Sequence, residues 1–171
     1  MGRNVRMFAV GLCLALVAAV WVRRADGRLD MDRYERLREA ERYQMDMAEK
    51  LFGQRKWKAA RNEYDRFMKL YKDSRSVPYC QFKVAECDQK SNLKHSAIKE
   101  FTKVVDFWPD SPDAPTAQYM IALCYWETGD RGKAVAAWQS LLRGFPKSPL
   151  CIGALRHQAD YYGRMNKTDE Q

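Results

Sequence analysis

One stretch of the chain, residues 118–148, shows how the rest is organised; it reads QYMIALCYWETGDRGKAVAAWQSLLRGFPKS. Apolar residues recur every three or four positions on both sides of the segment Thr128-Gly129-Asp130. That spacing is typical of two amphipathic helices separated by a turn. Phe145-Pro146 follows the second helix, where a proline prevents a further helical turn. The stretch therefore predicts a helical hairpin.

The same pattern occurs three times at a constant separation. A glutamine of the first predicted helix recurs at Gln44, Gln81 and Gln118, and 81 − 44 = 118 − 81 = 37. Alanines of the second predicted helix recur with the same separation, at Ala60, Ala97 and Ala134. A fixed period between about 20 and 50 residues is typical of a solenoid. We therefore predict an all-α protein with repeats at about residues 40–74, 78–111 and 115–148.

A further helix is predicted over residues 150–164, after the third repeat. Its sequence suggests Leu155, Ala159 and Tyr162 facing inward, with Arg156, His157 and Asp160 facing outward. A polar outer face is what the end of a repeat array needs. We therefore interpret this segment as a capping helix, and the alternative is that the array is naturally longer.

The first 27 residues have the pattern of a targeting segment. Residues 7–22 form an uncharged run of 22 − 7 + 1 = 16 residues, preceded by Arg3 and Arg6. A signal peptide has an apolar core of about 7–15 residues, and a membrane span needs about 20. We predict an exported protein whose residues 1–27 are a signal peptide, cleaved after Ala19 or Gly27, followed by a repeat domain at 28–171. The alternative is an uncleaved N-terminal membrane anchor. Cys13 lies within the apolar run and lacks the preceding small residue typical of lipoprotein processing.

Composition excludes several classes of function. The 171 residues include 30 Lys and Arg and 22 Asp and Glu, so the net charge is 30 − 22 = +8. The basic residues are scattered and alternate with acidic ones, so we predict no nucleic-acid partner.

Only two histidines occur, His95 and His157, and both are predicted at the surface. No spacing typical of a catalytic, phosphate-binding or zinc motif occurs, so we predict no enzyme activity, no catalytic residue, no cofactor and no metal site. Cys80, Cys87, Cys124 and Cys151 are predicted mainly as free buried thiols, with one disulfide as the alternative.

The third repeat resembles the tetratricopeptide repeat (TPR). The matching residues are a small residue and an aromatic in the first helix, the turn glycine, an alanine and an aromatic in the second helix, and the final proline: Ala122, Tyr125, Gly129, Ala134, Trp138 and Pro146. The second repeat departs from the pattern at Asp88, where an aromatic is expected, and the first departs at Leu51 and Lys72. The resemblance implies a TPR-like solenoid of helical hairpins wound as a right-handed superhelix, with about three repeats plus a C-terminal capping helix. It also implies a protein that binds partners in a concave groove.

The linkers between the repeats resemble those of bacterial cell-envelope TPR proteins. They include Trp108-Pro109-Asp110-Ser111 and Phe145-Pro146-Lys147-Ser148. Two similar families are the outer-membrane assembly lipoproteins of the BamD type and the periplasmic coordinator of the Tol–Pal system, both adaptors. The resemblance implies a non-enzymatic scaffold of the periplasm or cell envelope that binds another envelope protein or a peptide. The alternative is an accessory module that binds cell-wall glycan or supports an envelope hydrolase.

Four residues are candidates for the partner-binding groove. Tyr119, Leu123 and Trp126 recur at helical spacing beside the predicted packing face, and Phe82 lies one period before Tyr119 because 119 − 82 = 37. Exposed aromatic residues on such a surface are suited to binding a peptide. The alternative is that these rings pack against the neighbouring repeat or against the long helix predicted to lead into the first repeat.

Overall fold

The structure, a computed structural model, describes residues 31–169, with side chains through Met165. Within this range there are eight helices and no strand, which confirms the predicted all-α class. The helices are α1 (Met31–Glu35), α2 (Glu39–Gly53), α3 (Trp57–Leu70), α4 (Val77–Lys90), α5 (Lys94–Phe107), α6 (Ala114–Glu127), α7 (Arg131–Gly144) and α8 (Leu150–Asp169). The predicted targeting segment, its cleavage sites and Cys13 lie outside the described residues.

Three helical hairpins form the body of the described chain. Unit 1 is α2 with α3, unit 2 is α4 with α5, and unit 3 is α6 with α7, and each helix packs against the next along the chain. The second helices begin at Trp57, Lys94 and Arg131, and 94 − 57 = 131 − 94 = 37. The 37-residue period of the sequence is therefore the period of the fold, a TPR-like helical solenoid.

Small residues allow the two helices of each hairpin to approach. The alanines that recur in register are all fully buried: Ala48, Ala85 and Ala122 in the first helices, and Ala60, Ala97 and Ala134 in the second. One turn after each second-helix alanine comes a fully buried ring, at Tyr64, Phe101 and Trp138. Large rings beside methyl groups fill the core without overcrowding it, as close packing requires.

The recurring glutamines join the two helices of each hairpin. The Nε2 atoms of Gln44 and Gln81 donate to the backbone carbonyls of Glu63 and Glu100 at 3.3 Å. Gln118 makes the equivalent bond to the carbonyl of Ala137 at 2.9 Å. A buried amide needs such a partner. The glutamine repeat was visible in the sequence, but its structural role was not predicted.

The turn inside each hairpin holds one residue in the left-handed backbone region. These residues are Arg55 (φ 58°), Asn92 (φ 62°) and Gly129 (φ 85°), again 37 residues apart. Glycine adopts this region freely and asparagine tolerates it, whereas an arginine Cβ approaches the following carbonyl. The same turn is therefore least favourable in unit 1.

Replacing Arg55 by glycine should stabilise the protein. We expect Arg55→Gly to raise the free energy of unfolding by about 0.5–1 kcal/mol. Glycine removes the steric cost of the left-handed backbone, and this gain exceeds the conformational entropy that glycine adds to the unfolded chain. Urea denaturation measures the change. The matched control is Lys56→Gly, since Lys56 has a φ of −84° and gains nothing from glycine. Equal effects of the two substitutions would contradict the explanation.

Asp88 is a buried carboxylate that joins units 1 and 2. It accepts a hydrogen bond from Arg61 Nε at 2.8 Å and another from Ser96 Oγ at 2.7 Å. Arg61 lies on α3 of unit 1 and also pairs with Asp65 at 2.8 Å. The departure from the TPR pattern at position 88 therefore replaces an aromatic contact by an ion pair between neighbouring units.

The residues predicted to face inward from the last helix were wrong, although Arg156 and Asp160 are exposed as predicted. Leu155, Ala159 and Tyr162 are exposed, whereas Ala154 is buried and His157 is half-buried. The reason is that α8 packs against α6 and α7 as the first helix of a further unit would. The outer face of α8 therefore carries exposed apolar residues beside the charged Arg156 and Asp160, and the expectation of a polar outer face on a capping helix holds only in part. None of the helices between residues 31 and 169 combines the length and apolar character needed to cross a bilayer.

Candidate binding surface

Phe82 lies in the core and lines no surface. Its side chain is only 2% exposed, and its ring centroid lies 5.3 Å from that of Phe101. The equivalent residue of unit 1, Met45, is also fully buried. In units 1 and 2 this register position faces a neighbouring helix rather than solvent, so the assignment of Phe82 to a groove was wrong.

The other three candidate residues lie together on α6. Tyr119, Leu123 and Trp126 are half-buried and pack against the hydrophobic core that units 2 and 3 share. Burial raises the pKa of the Tyr119 hydroxyl. Each side chain keeps part of its surface open, so α6 presents a partly exposed apolar strip, which we call the α6 strip.

Helix α8 borders the α6 strip through an aromatic cluster. The cluster consists of Tyr119, Trp126, Trp138, His157 and Tyr161. At its centre the imidazole of His157 stacks on the ring of Trp138, with centroids 4.6 Å apart and planes 2° from parallel. His157 was predicted at the surface, and this was wrong because its ring fills the space between α7 and α8. His95 is exposed, as predicted.

Gly153 sets how closely α8 approaches the α6 strip. A Cβ atom added at Gly153 would lie 3.1 Å from the hydroxyl oxygen of Tyr119. That distance is tighter than ordinary van der Waals contact, so the glycine leaves room for the tyrosine ring. The aromatic groove residues named from the sequence therefore serve partly as packing residues, which was the alternative interpretation.

Arg131 covers the end of the α6 strip. Its guanidinium carbon lies 3.7 Å from the ring centroid of Trp126, and its Nη1 donates to the Trp126 carbonyl at 2.7 Å. A cation stacked on an indole face is a favourable contact that leaves the cation hydrated. This arrangement places a positive charge beside the apolar strip.

Helix α1 contacts the first helices at their N-terminal ends. Arg33 makes a two-point ion pair with Asp113, at 3.2 Å from Nη1 and 3.0 Å from Nη2. Its guanidinium carbon also lies 5.6 Å from the ring centroid of Tyr79. Because Asp113 immediately precedes α6, α1 meets the beginning of the helix that carries the strip.

A second groove lies between α5 and α7, with α6 as its floor. It has a volume of about 330 Å³, and its polar lining includes Thr102, Asp106, Lys133 and Ser140. Ala136 and Ala137 stand where unit 2 has Lys99 and Glu100, since 136 − 99 = 137 − 100 = 37. The loss of those long side chains opens the groove. The signal for this groove is present in the sequence, as the change from long to short side chains between units 2 and 3.

The thiol groups occupy apolar surroundings. Cys80, Cys87 and Cys124 are buried, Cys151 is half-buried, and all four are free. Burial raises the pKa of Cys87 to about 12 and that of Cys124 to about 11, and it also raises the pKa of Cys80. These three thiols are therefore poor nucleophiles near neutral pH. Among the described residues, no three His, Cys, Asp or Glu side chains come together in a group able to hold a metal ion.

Comparison with known proteins agrees with the geometry of unit 3. Residues 116–148 match the model of a family described as the tetratricopeptide repeat. The matched segment covers α7 and nearly all of α6, the helix that carries the strip. None of the curated proteins matches the chain significantly.

Proposed function

We propose that this tetratricopeptide-repeat protein is a non-enzymatic scaffold of the bacterial cell envelope that binds a partner protein or peptide along the α6 strip. TPR repeats are protein–protein interaction modules, and the family match falls on the unit that carries the strip. The observation that carries the proposal is the position of Leu123, which is half-buried and keeps part of its surface open between the half-buried rings of Tyr119 and Trp126. An apolar side chain flanked by aromatic edges is a suitable contact for an apolar anchor of a peptide.

Charge beside the strip suggests the chemistry of the partner. Arg131 holds its guanidinium over Trp126 and remains exposed. An acidic residue of the partner next to its apolar anchor would pair with that charge. We therefore propose a partner segment that combines apolar and acidic residues.

The envelope location rests on sequence features. Residues 7–22 have the composition of an export signal, and the linkers after the second helices are similar to those of envelope TPR proteins. The family match identifies the repeat at residues 116–148, so the location is argued from the sequence features above. Export to the periplasm, or anchoring through residues 1–27, is accordingly part of the proposal.

The test uses Leu123 rather than the aromatic residues. Tyr119 and Trp126 contact α8, so replacing them would also loosen that helix. Leu123→Glu should reduce capture of the partner from a native envelope fraction at least about tenfold, because it places a carboxylate where an apolar anchor binds. Quantitative mass spectrometry of the captured proteins measures the loss.

Two controls make the outcome decisive. Leu93→Glu makes the same chemical change at an exposed leucine before α5, and we expect parental capture. Thermal unfolding followed by circular dichroism detects any general loss of structure, and the milder Leu123→Gln serves if the glutamate variant melts early. Parental capture by folded Leu123 variants would refute the proposed surface. Binding to purified peptidoglycan with no protein captured would favour the glycan-binding alternative.

A further inference from the structure

The outer face of α8 carries a continuous apolar stripe. Ile152, Leu155 and Tyr162 are 76%, 53% and 49% exposed, and Ala159 between them is also exposed. Their spacings of three, four and three residues keep them on one side of the helix. Large apolar side chains this exposed and this regularly spaced are typical of an interaction surface.

The register of the repeat shows what normally covers this stripe. Adding 37 to Gln118, Ala122 and Tyr125 gives Leu155, Ala159 and Tyr162. In unit 3 those positions face α7, since Gln118 bonds to the Ala137 carbonyl and the Lys133 amine lies over the Tyr125 ring. The stripe is therefore the surface that receives the second helix in the earlier units. Over residues 31–165, no side chain shields it to the same extent.

One difference from the earlier units favours an apolar occupant. Units 1–3 place a glutamine where α8 has Leu155, and each glutamine donates to a backbone carbonyl of its second helix. A leucine makes no such bond. The α8 stripe therefore favours an occupant that places apolar side chains, rather than a backbone carbonyl, against Leu155.

We propose that the α8 stripe binds the same stripe of a second copy of the chain, with the two helices antiparallel about a twofold axis. In this arrangement Leu155 lies opposite the partner's Ala159 and Ile152 lies opposite the partner's Tyr162, because 155 + 159 = 152 + 162 = 314. The large leucine meets the small alanine twice, so the two helices approach closely. Each α8 thereby occupies, against the other α8, the position that a second helix occupies in units 1–3.

The experiment measures the mass of the full chain by analytical ultracentrifugation in a non-ionic detergent, over a roughly hundredfold range of concentration. The parent chain should form a dimer. Leu155→Lys and Ala159→Glu should each weaken the dimer at least about tenfold, since each places a charge in an apolar contact. The double variant Leu155→Lys with Ala159→Glu should dimerise again, because the proposed register sets the two opposite charges across the axis twice.

Two control variants test the position and the register of the contact. Tyr43→Glu changes an exposed aromatic on α2, at the other end of the array, and should leave the dimer intact. Leu155→Lys with Tyr162→Glu carries the same charges in positions that do not face each other, and should stay dissociated. Circular dichroism checks that every variant keeps its helices, which we expect because all the altered side chains are exposed.

Each outcome decides the proposal. A monomeric parent chain, or a dimer that tolerates the α8 changes, would overturn it. Failure of the Leu155→Lys with Ala159→Glu pair to restore association would overturn the antiparallel register. The result is independent of the α6 strip, because no variant in this experiment alters Leu123.

Discussion

Trp138→Ala should lower the free energy of unfolding by about 3–5 kcal/mol. Trp138 is the largest fully buried side chain in the described part of the protein. It stacks on His157 of α8 at 4.6 Å and contacts Trp126 of α6 at 5.5 Å. Alanine would therefore leave a cavity where α6, α7 and α8 meet. Urea denaturation followed by circular dichroism measures the loss.

The loss of stability should be largest in α8. His157 would lose its stacking partner, so hydrogen exchange should accelerate in α8 before it accelerates in α3. Phe107→Ala is the matched control, because Phe107 is 69% exposed and its removal should cost less than about 0.5 kcal/mol. Comparable losses for the two variants would contradict the placement of Trp138 in the core.

Asp88→Ala should destabilise the protein by about 2–3 kcal/mol. It removes the acceptor of two hydrogen bonds, and it leaves the partly buried guanidinium of Arg61 without one of its carboxylate partners. Arg61 keeps its ion pair with Asp65, so the cost should stay below that of a fully buried, unpaired charge. Urea denaturation measures the change. Asp110→Ala, at an exposed aspartate in the loop before α6, should have little effect.

A double-mutant cycle isolates the contact between units 1 and 2. If Arg61 and Asp88 stabilise each other, Arg61→Met combined with Asp88→Ala should cost less than the sum of the two single changes. Strict additivity would show that the two side chains act independently. Such a result would contradict the role of Asp88 in stabilising the contact between units 1 and 2.

Period and turn chemistry predicted most of the fold. The repeated alanines at 48, 85 and 122 are all buried where they were expected, and the three second helices begin one period apart. These features depend on local sequence and on contacts between successive helices, which a repeat displays three times. The role of Asp88 was not predictable in this way, because its partner Arg61 lies 27 residues away and occurs in one unit only.

The binding surface was less predictable because its exposure depends on which helices cover it. Phe82 and Tyr119 occupy the same register position, yet the first is buried and the second is only half-buried. Helical periodicity identifies the side of a helix on which a residue lies. It does not identify the neighbour, so the inward-facing residues of α8 and the position of His157 were both predicted wrongly.

The ion pair between Arg33 and Asp113 has a consequence for how the protein folds and unfolds. Most contacts in the array join helices that are adjacent along the chain, and such arrays can form and fray one unit at a time. Arg33 instead meets a residue 80 positions away, at the start of unit 3. Helix α1 can complete this contact only after units 1 to 3 are assembled, and loss of unit 3 leaves α1 with its contact to Tyr79 of unit 2. The pair therefore links the N-terminal helix to the third unit and favours unfolding of the three units as a single cooperative block.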